Sequence, residues 1–164
     1  DLEHLFPVVT VVTQNIDELH QRAGSTDVVE LHGSIRRYRC LSGAHSGFTR
    51  ADSADQAEQP PRCPHCGEML RPEVVWFGEM LPEAALERAF YLAEHCDAML
   101  VVGTSGEVQP AASLPYYASR AGALVVAVNP DRDQLAMLSD IYLAGPAGTI
   151  LPALVGAIRK VRGA

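Results

Sequence analysis

Short β-branched runs recur along the chain, each ending in a polar or glycine-containing string and followed by a helix-like segment. Val8–Thr13 ends in Gln14-Asn15-Ile16-Asp17, and Val28–Leu31 ends in His32-Gly33-Ser34. Ala98–Val102 delivers Gly103-Thr104-Ser105-Gly106, and Ala123–Val128 delivers Asn129-Pro130. A last short run, Ile141–Leu143, leads to Gly145-Pro146-Ala147-Gly148. Runs this short and apolar read as strands buried on both faces. Helices are expected near 18–22, from Pro82 to about His95, near 110–120 and near 150–161, because proline opens and glycine closes them in the right places. Strands alternating with helices give a Rossmann-like, doubly wound parallel α/β sheet. In such sheets ligands bind at the carboxyl ends of strands. Gln14-Asn15-Ile16-Asp17, His32-Gly33, Gly103-Thr104-Ser105 and Asn129 are therefore expected to line one crevice.

Between Ile35 and about Pro72 the alternation breaks down, and this polar stretch holds Gly43, Gly47 and Pro60-Pro61. A loop of that length in a compact domain needs its own organiser. It contains Cys40, Cys63 and Cys66, and Cys63-Pro64-His65-Cys66-Gly67 is a knuckle that aims two thiolates at one metal. A zinc-ribbon-type insertion at 35–72 is expected, set into a nucleotide-binding domain made of 1–34 and 73–164. Cys96, before a hydrophobic strand, reads as an inert core cysteine.

The chain has 164 residues with a net charge of −7, and Lys160 is its only lysine. That balance disfavours nucleic acid and anionic membranes and weakly favours cationic partners such as lysine-bearing peptides. No apolar run approaches the roughly 20 residues of a membrane span. Asp1-Leu2-Glu3-His4 has no basic region of a signal peptide. A cytoplasmic protein is expected, beginning within a longer one because no initiator methionine is present.

Five strings in order carry a resemblance: Thr13-Gln14-Asn15-Ile16-Asp17, Leu31-His32-Gly33-Ser34, the Cys63/Cys66 module, Val74-Val75-Trp76-Phe77-Gly78-Glu79, and Gly103-Thr104-Ser105. Together they resemble the sirtuin family of NAD-dependent protein deacylases over nearly the whole chain. Trp76-Phe77-Gly78-Glu79 and the string from Gly103 to Pro110 look more like the class III branch, which favours acidic acyl groups. The resemblance implies transfer of an acyl group from lysine to ADP-ribose with release of nicotinamide. It implies that His32 is the base that activates a ribose hydroxyl, a task suited to an imidazole near neutral pH.

By the same resemblance Gln14, Asn15 and Asp17 line the nicotinamide and ribose pocket, although Asn15 or Asp17 also suits a helix cap. Gly103, Thr104 and Ser105 would meet cofactor ribose and phosphates, with Asn129 on the adenosine side and Ala147 against adenine through its backbone. Val75, Trp76, Phe77, Gly78 and Glu79 would pair with an acyl-lysine peptide as an added strand, with Val75 and Phe77 along the acyl tunnel. Zinc would take Cys40, Cys63 and Cys66. The family's partner to Cys40 falls at Gly43, so the fourth ligand is open and His45 is a candidate.

Sirtuins also carry an N-terminal glycine-rich loop that cradles the NAD pyrophosphate, which this sequence does not contain. The chain is thus expected to be a C-terminal portion that binds NAD poorly by itself. The competing reading is an inactive fragment that binds a peptide or partner through the 74–79 edge. A bare zinc-ribbon interaction module would leave Gln14-Asn15-Ile16-Asp17 without a use.

Overall fold

The computed structural model describes residues 1–49, 60–132 and 134–163. These form two compact units, one of residues 1–9 with 86–164 and the other of residues 10–85.

In the first unit three parallel strands, β5 (Ala98–Val102), β6 (Leu124–Asn129) and β7 (Ile141–Ala144), stand in that order. Val125 and Val128 are fully buried on the central strand. Helix α2 (Glu83–His95) precedes β5, with Ala89 and Ala93 buried and Leu86 and Phe90 half-buried on one stripe. His95 at its end matches the negative pole of the helix. Helix α3 (Leu114–Ala121) crosses from β5 to β6 after a 3-10 turn at Ala111–Ser113. Gly122 closes α3 in the left-handed conformation, and Ala123 N–H returns to the Ala118 carbonyl at 3.0 Å. Helix α4 (Gln134–Leu138), which the periodicity does not disclose, leads to β7. Helix α5 (Ala147–Arg162) starts three residues before its expected position, and Pro152 lies within it. Cys96 is half-buried rather than in the core, its thiol donating to the Ala93 carbonyl at 3.5 Å.

The second unit holds a parallel pair, β1 (Val11–Thr13) and β2 (Val28–Glu30), joined through the single-turn helix α1 (Leu19–Arg22). Val8, expected to open β1, is exposed and outside the strand. Beside this pair runs an antiparallel hairpin, β3 (Gly33–Cys40) with β4 (Leu70–Val74). Regular structure at 35–40 was not expected, because arginines on both faces hide the alternation. The reason is a register slip between Ser34 and Tyr38. Ser34 faces Glu73 while Tyr38 faces the adjacent Pro72, so residues 35–37 bulge outward. A proline is tolerated in β4 because a two-stranded sheet consists of edges.

Gly33 opens β3 at φ +73°, and a Cβ there would lie 2.0 Å from the Glu73 carbonyl oxygen. Strain and a backbone clash both act at this point. Gly33→Ala is expected to cost about 3 kcal/mol or more, measured by chemical denaturation. A change below about 1 kcal/mol would mean that the close approach of β3 to β4 is not maintained.

Candidate active site and metal centre

Two hydrogen bonds orient His32. Its Nδ1 lies 2.9 Å from the Gln14 carbonyl oxygen, and its own carbonyl accepts the Val75 N–H at 3.0 Å. A carbonyl can only accept, so Nδ1 carries a proton, and in the neutral ring the lone pair is therefore on Nε2. The half-buried ring is thereby held in the tautomer a general base needs. Beside it, Thr13 Oγ1 accepts the Asn15 N–H at 3.0 Å, and Asp17 Oδ1 accepts the Leu19 N–H at 2.9 Å. Asp17, one residue before the N-cap Glu18, thus accepts the first N–H of α1, while the Asn15 side chain is exposed and Gln14 is half-buried. Gln14, Asn15, Asp17 and His32 stand together at the carboxyl ends of β1 and β2, as expected from their places after strands.

Val74 is the last residue of β4, and the chain then leaves the ladder. Residues 76–79 form a turn in which Glu79 N–H meets the Trp76 carbonyl at 2.9 Å. Phe77 is fully exposed, Trp76 and Gly78 are exposed, and Val75 is half-buried. Arg71 organises the turn from below. Its guanidinium donates to both Glu79 carboxylate oxygens, at 2.5 and 3.1 Å, and to the Val74 carbonyl at 2.7 Å. It also lies 3.6 Å from the centre of the Trp76 ring. Glu79 accepts the Trp76 N–H at 3.0 Å as well. Neither Arg71 nor its pairing with Glu79 was foreseen, since two charges eight residues apart carry no periodic signal.

The Arg71 hydrogen bonds, followed by the Trp76 N–H, hold the Glu79 carboxyl down to about 2. The native state thus binds fewer protons than the unfolded chain between about 4.5 and 2. The resulting stabilisation is complete above the unfolded value and disappears as pH falls through that window. Glu79→Gln should be less stable than the parent at pH 7 by an amount that shrinks steadily below pH of about 4.5. Urea midpoints of both proteins between pH 7 and 3 measure it. A pH-independent difference would disconnect Glu79 from the effect.

In the first unit, Gly103 leaves β5 at φ +61°, its N–H on the Val128 carbonyl at 3.0 Å. Thr104 is pinned twice, its Oγ1 accepting Gly106 N–H at 3.3 Å and its carbonyl accepting Asn129 Nδ2 at 3.1 Å. Asn129 in turn accepts the Tyr142 hydroxyl on its own carbonyl at 2.8 Å. Ser105 is exposed beside them. Ala147 is the first residue of α5, where aligned backbone N–H groups favour electron-rich ligand atoms. Gly103, Thr104, Ser105 and Asn129 are thus adjacent at the ends of β5 and β6. Ala147 follows β7 by three residues.

The metal module closes a question left open by Gly43. Ligand atoms of Cys40, His45, Cys63 and Cys66 lie within 4.8 Å of one another. Cys40 Sγ is 3.4 Å from Cys66 Sγ and 3.6 Å from His45 Nδ1, which is 3.9 Å from Cys63 Sγ. The edges of a zinc tetrahedron with such ligands are about 3.5–3.8 Å, so the donor set fits zinc in number, type and spacing. His65 is outside the set and packs its ring against His45 and Phe48. Cys40, Cys63 and Leu70 form a small core with Tyr38 and Phe48 against it. Burial, reinforced by the neighbouring thiols, pushes the Cys40 thiol up to about 12. Burial also acts on Cys63, but N–H groups of Cys66 and His65 outweigh it and hold that thiol below its usual range.

Parallel strands with polar residues at their carboxyl ends and a cysteine-histidine cluster compatible with zinc define an α/β protein with a candidate metal site. The chain belongs to the Sir2 family, whose model matches residues 1–110. It is 44% identical to the NAD-dependent protein deacylase of Pyrococcus furiosus over 98% of its own length and 66% of that relative's. It is 52% identical to NAD-dependent protein deacylase 1 of Pseudomonas aeruginosa over 88% of this chain and 60% of the relative. A solved Sir2 homologue in complex with NAD superposes with a TM-score of 0.89 at 46% identity, covering 98% of this chain and 62% of that one. Sir2Af2 bound to a myristoylated histone peptide gives 0.85 at 42% identity, over 99% and 70%. The chain therefore spans about two thirds of the length of these proteins. The likeness bears out the Rossmann-like α/β class. No helix among the described residues is long and apolar enough to cross a membrane.

Proposed function

We propose that this chain carries the base and the metal-stabilised peptide-binding part of an NAD-dependent protein lysine deacylase. The observation that carries it is the His32 ring, fixed by the Gln14 carbonyl with Nε2 left as acceptor. NAD, when bound, supplies the ribose that receives the acyl group and nicotinamide as the leaving group. His32 Nε2 takes the proton of a ribose hydroxyl. Asn15 offers amide donors and an acceptor to the nicotinamide amide and ribose, and Asp17 accepts from a hydroxyl while holding α1. Gly103, Thr104, Ser105 and Asn129 suit ribose and phosphate oxygens, and the N-terminus of α5 at Ala147 suits adenine nitrogens.

The exposed Trp76-Phe77-Gly78 turn offers apolar surface to an acyl-lysine peptide, with the Trp76 backbone held within the turn by Glu79. Solved relatives bound to a myristoylated histone peptide and to a p53 peptide with NAD support a peptide substrate. Zinc, held by Cys40, His45, Cys63 and Cys66, has a structural part: four protein ligands leave no open position for substrate. A cytoplasmic setting, where thiols stay reduced, suits that cluster.

The assay monitors nicotinamide release from NAD with acetyl- and succinyl-lysine peptides, using the chain alone and the chain within its complete reading frame. Peptide-dependent release by the latter supports the proposal. Peptide binding without release would leave a binding module instead.

A further inference from the structure

Glu18 follows Asp17 and is, among the described residues, the non-glycine with a positive φ, at 59°. L side chains rarely adopt this conformation, so the surroundings must hold it. Two groups do so. Glu18 Oε1 accepts the hydroxyl of the fully buried Ser34 at 2.5 Å and Arg37 Nη1 at 3.0 Å. Arg37 also donates to Glu30, the last residue of β2 and two positions before His32. Its Nε lies 3.6 Å from Glu73 on β4. That Glu73 oxygen is buried and has no hydrogen bond of its own, so its charge depends on the guanidinium.

One cation thus gathers three carboxylates from the turn after Asp17, the strand before His32 and the strand before Val75. The bulge at residues 35–37 puts Arg37 where it can do this. The same bulge ties Ile35 N–H to the Ile16 carbonyl at 2.9 Å, within the Gln14–Asp17 string. Only the planar guanidinium fork spans several carboxylates at fixed angles, and an ammonium does not.

We infer that Arg37 is a positioning residue: through Glu18, Glu30 and Glu73 it sets the separation of the loops that carry Asp17 and His32. It touches none of the proposed reacting groups. Without it three carboxylates face one another uncompensated, and the His32 ring loses register with the Gln14 carbonyl. The inference rests on the deacylase reading for its catalytic consequence, but its structural part stands independently.

Two readouts separate those parts. Hydrogen exchange of the full-length protein follows the Leu19 and Ile35 amides, which bond to Asp17 and Ile16. Arg37→Gln is expected to speed their exchange about tenfold or more, leaving the β5 and β6 amides unchanged. Steady-state kinetics should show kcat down about 10–100-fold with the KM for peptide held within about twofold. Arg37→Lys should not restore kcat. Should Arg37→Gln lower global stability, Glu18→Gln is the second variant: its amide oxygen still accepts the Ser34 hydroxyl but carries no charge to pair with Arg37, so both readouts should move in the same direction as in Arg37→Gln and by less. Unchanged exchange at Leu19 and Ile35, or full rescue by lysine, would overturn the inference. Faster exchange in a protein whose parent never turns over would uphold the loop coupling and overturn the deacylase reading alone.

Discussion

Replacing His32 by alanine is expected to lower nicotinamide release by the full-length protein by about 10²–10⁴-fold, the usual worth of a positioned general base. The backbone link from His32 to Val75 survives the change, since it uses the carbonyl. Only the Nδ1–H to Gln14 bond is lost, so stability should move by about 1 kcal/mol. A loss of activity far larger than the loss of stability is the signature of chemistry rather than packing. His32→Asn sharpens the test, because its amide can donate to the Gln14 carbonyl but cannot take a proton. It should be as inactive as the alanine variant. Wild-type turnover by either variant would remove His32 from the mechanism.

The metal gives the other large effect. One zinc per chain is expected by elemental analysis, and chelation should release the β3–β4 hairpin. Structural zinc contributes about 10–16 kcal/mol of apparent binding energy in small modules. The hairpin's own core, Cys40, Cys63 and Leu70 with two aromatic rings, is too small to replace it. Cys63→Ser should therefore abolish stoichiometric binding and the slow exchange of the Leu70 amide, which bonds to the Pro61 carbonyl at 2.7 Å. His45→Ala should weaken binding, and His45→Cys should restore it, since a thiolate at that position completes a common ligand set. Slow Leu70 exchange in metal-free protein would show that the module needs no ion.

What the sequence disclosed depended on whether a residue acts alone or through a partner. The strand ends were legible because apolar runs stop abruptly at Gln14, His32, Gly103 and Asn129, and a strand end is a local signal. Strand β3 was hidden because arginines at 36, 37 and 39 and a bulge erase its period. Arg37, Arg39 and Arg71 make the ion pairs that shape the second unit, and nothing in their spacing names Glu18, Glu30 or Glu79 as partners. His45 lay between. Its type made it a candidate ligand, but only the return of the chain to Cys63 brought the four donors together. The left-handed Glu18 had no sequence signature, because glycine or asparagine would ordinarily mark it.

The stacking of Arg71 on Trp76 has an optical side. Trp76 is the chain's single tryptophan, so indole emission comes from one place, the turn clamped by Glu79. The protein carries its own fluorophore at the segment proposed to meet the peptide. Binding there and loosening of the clamp are thus observable in unlabelled protein, without a coupled reaction.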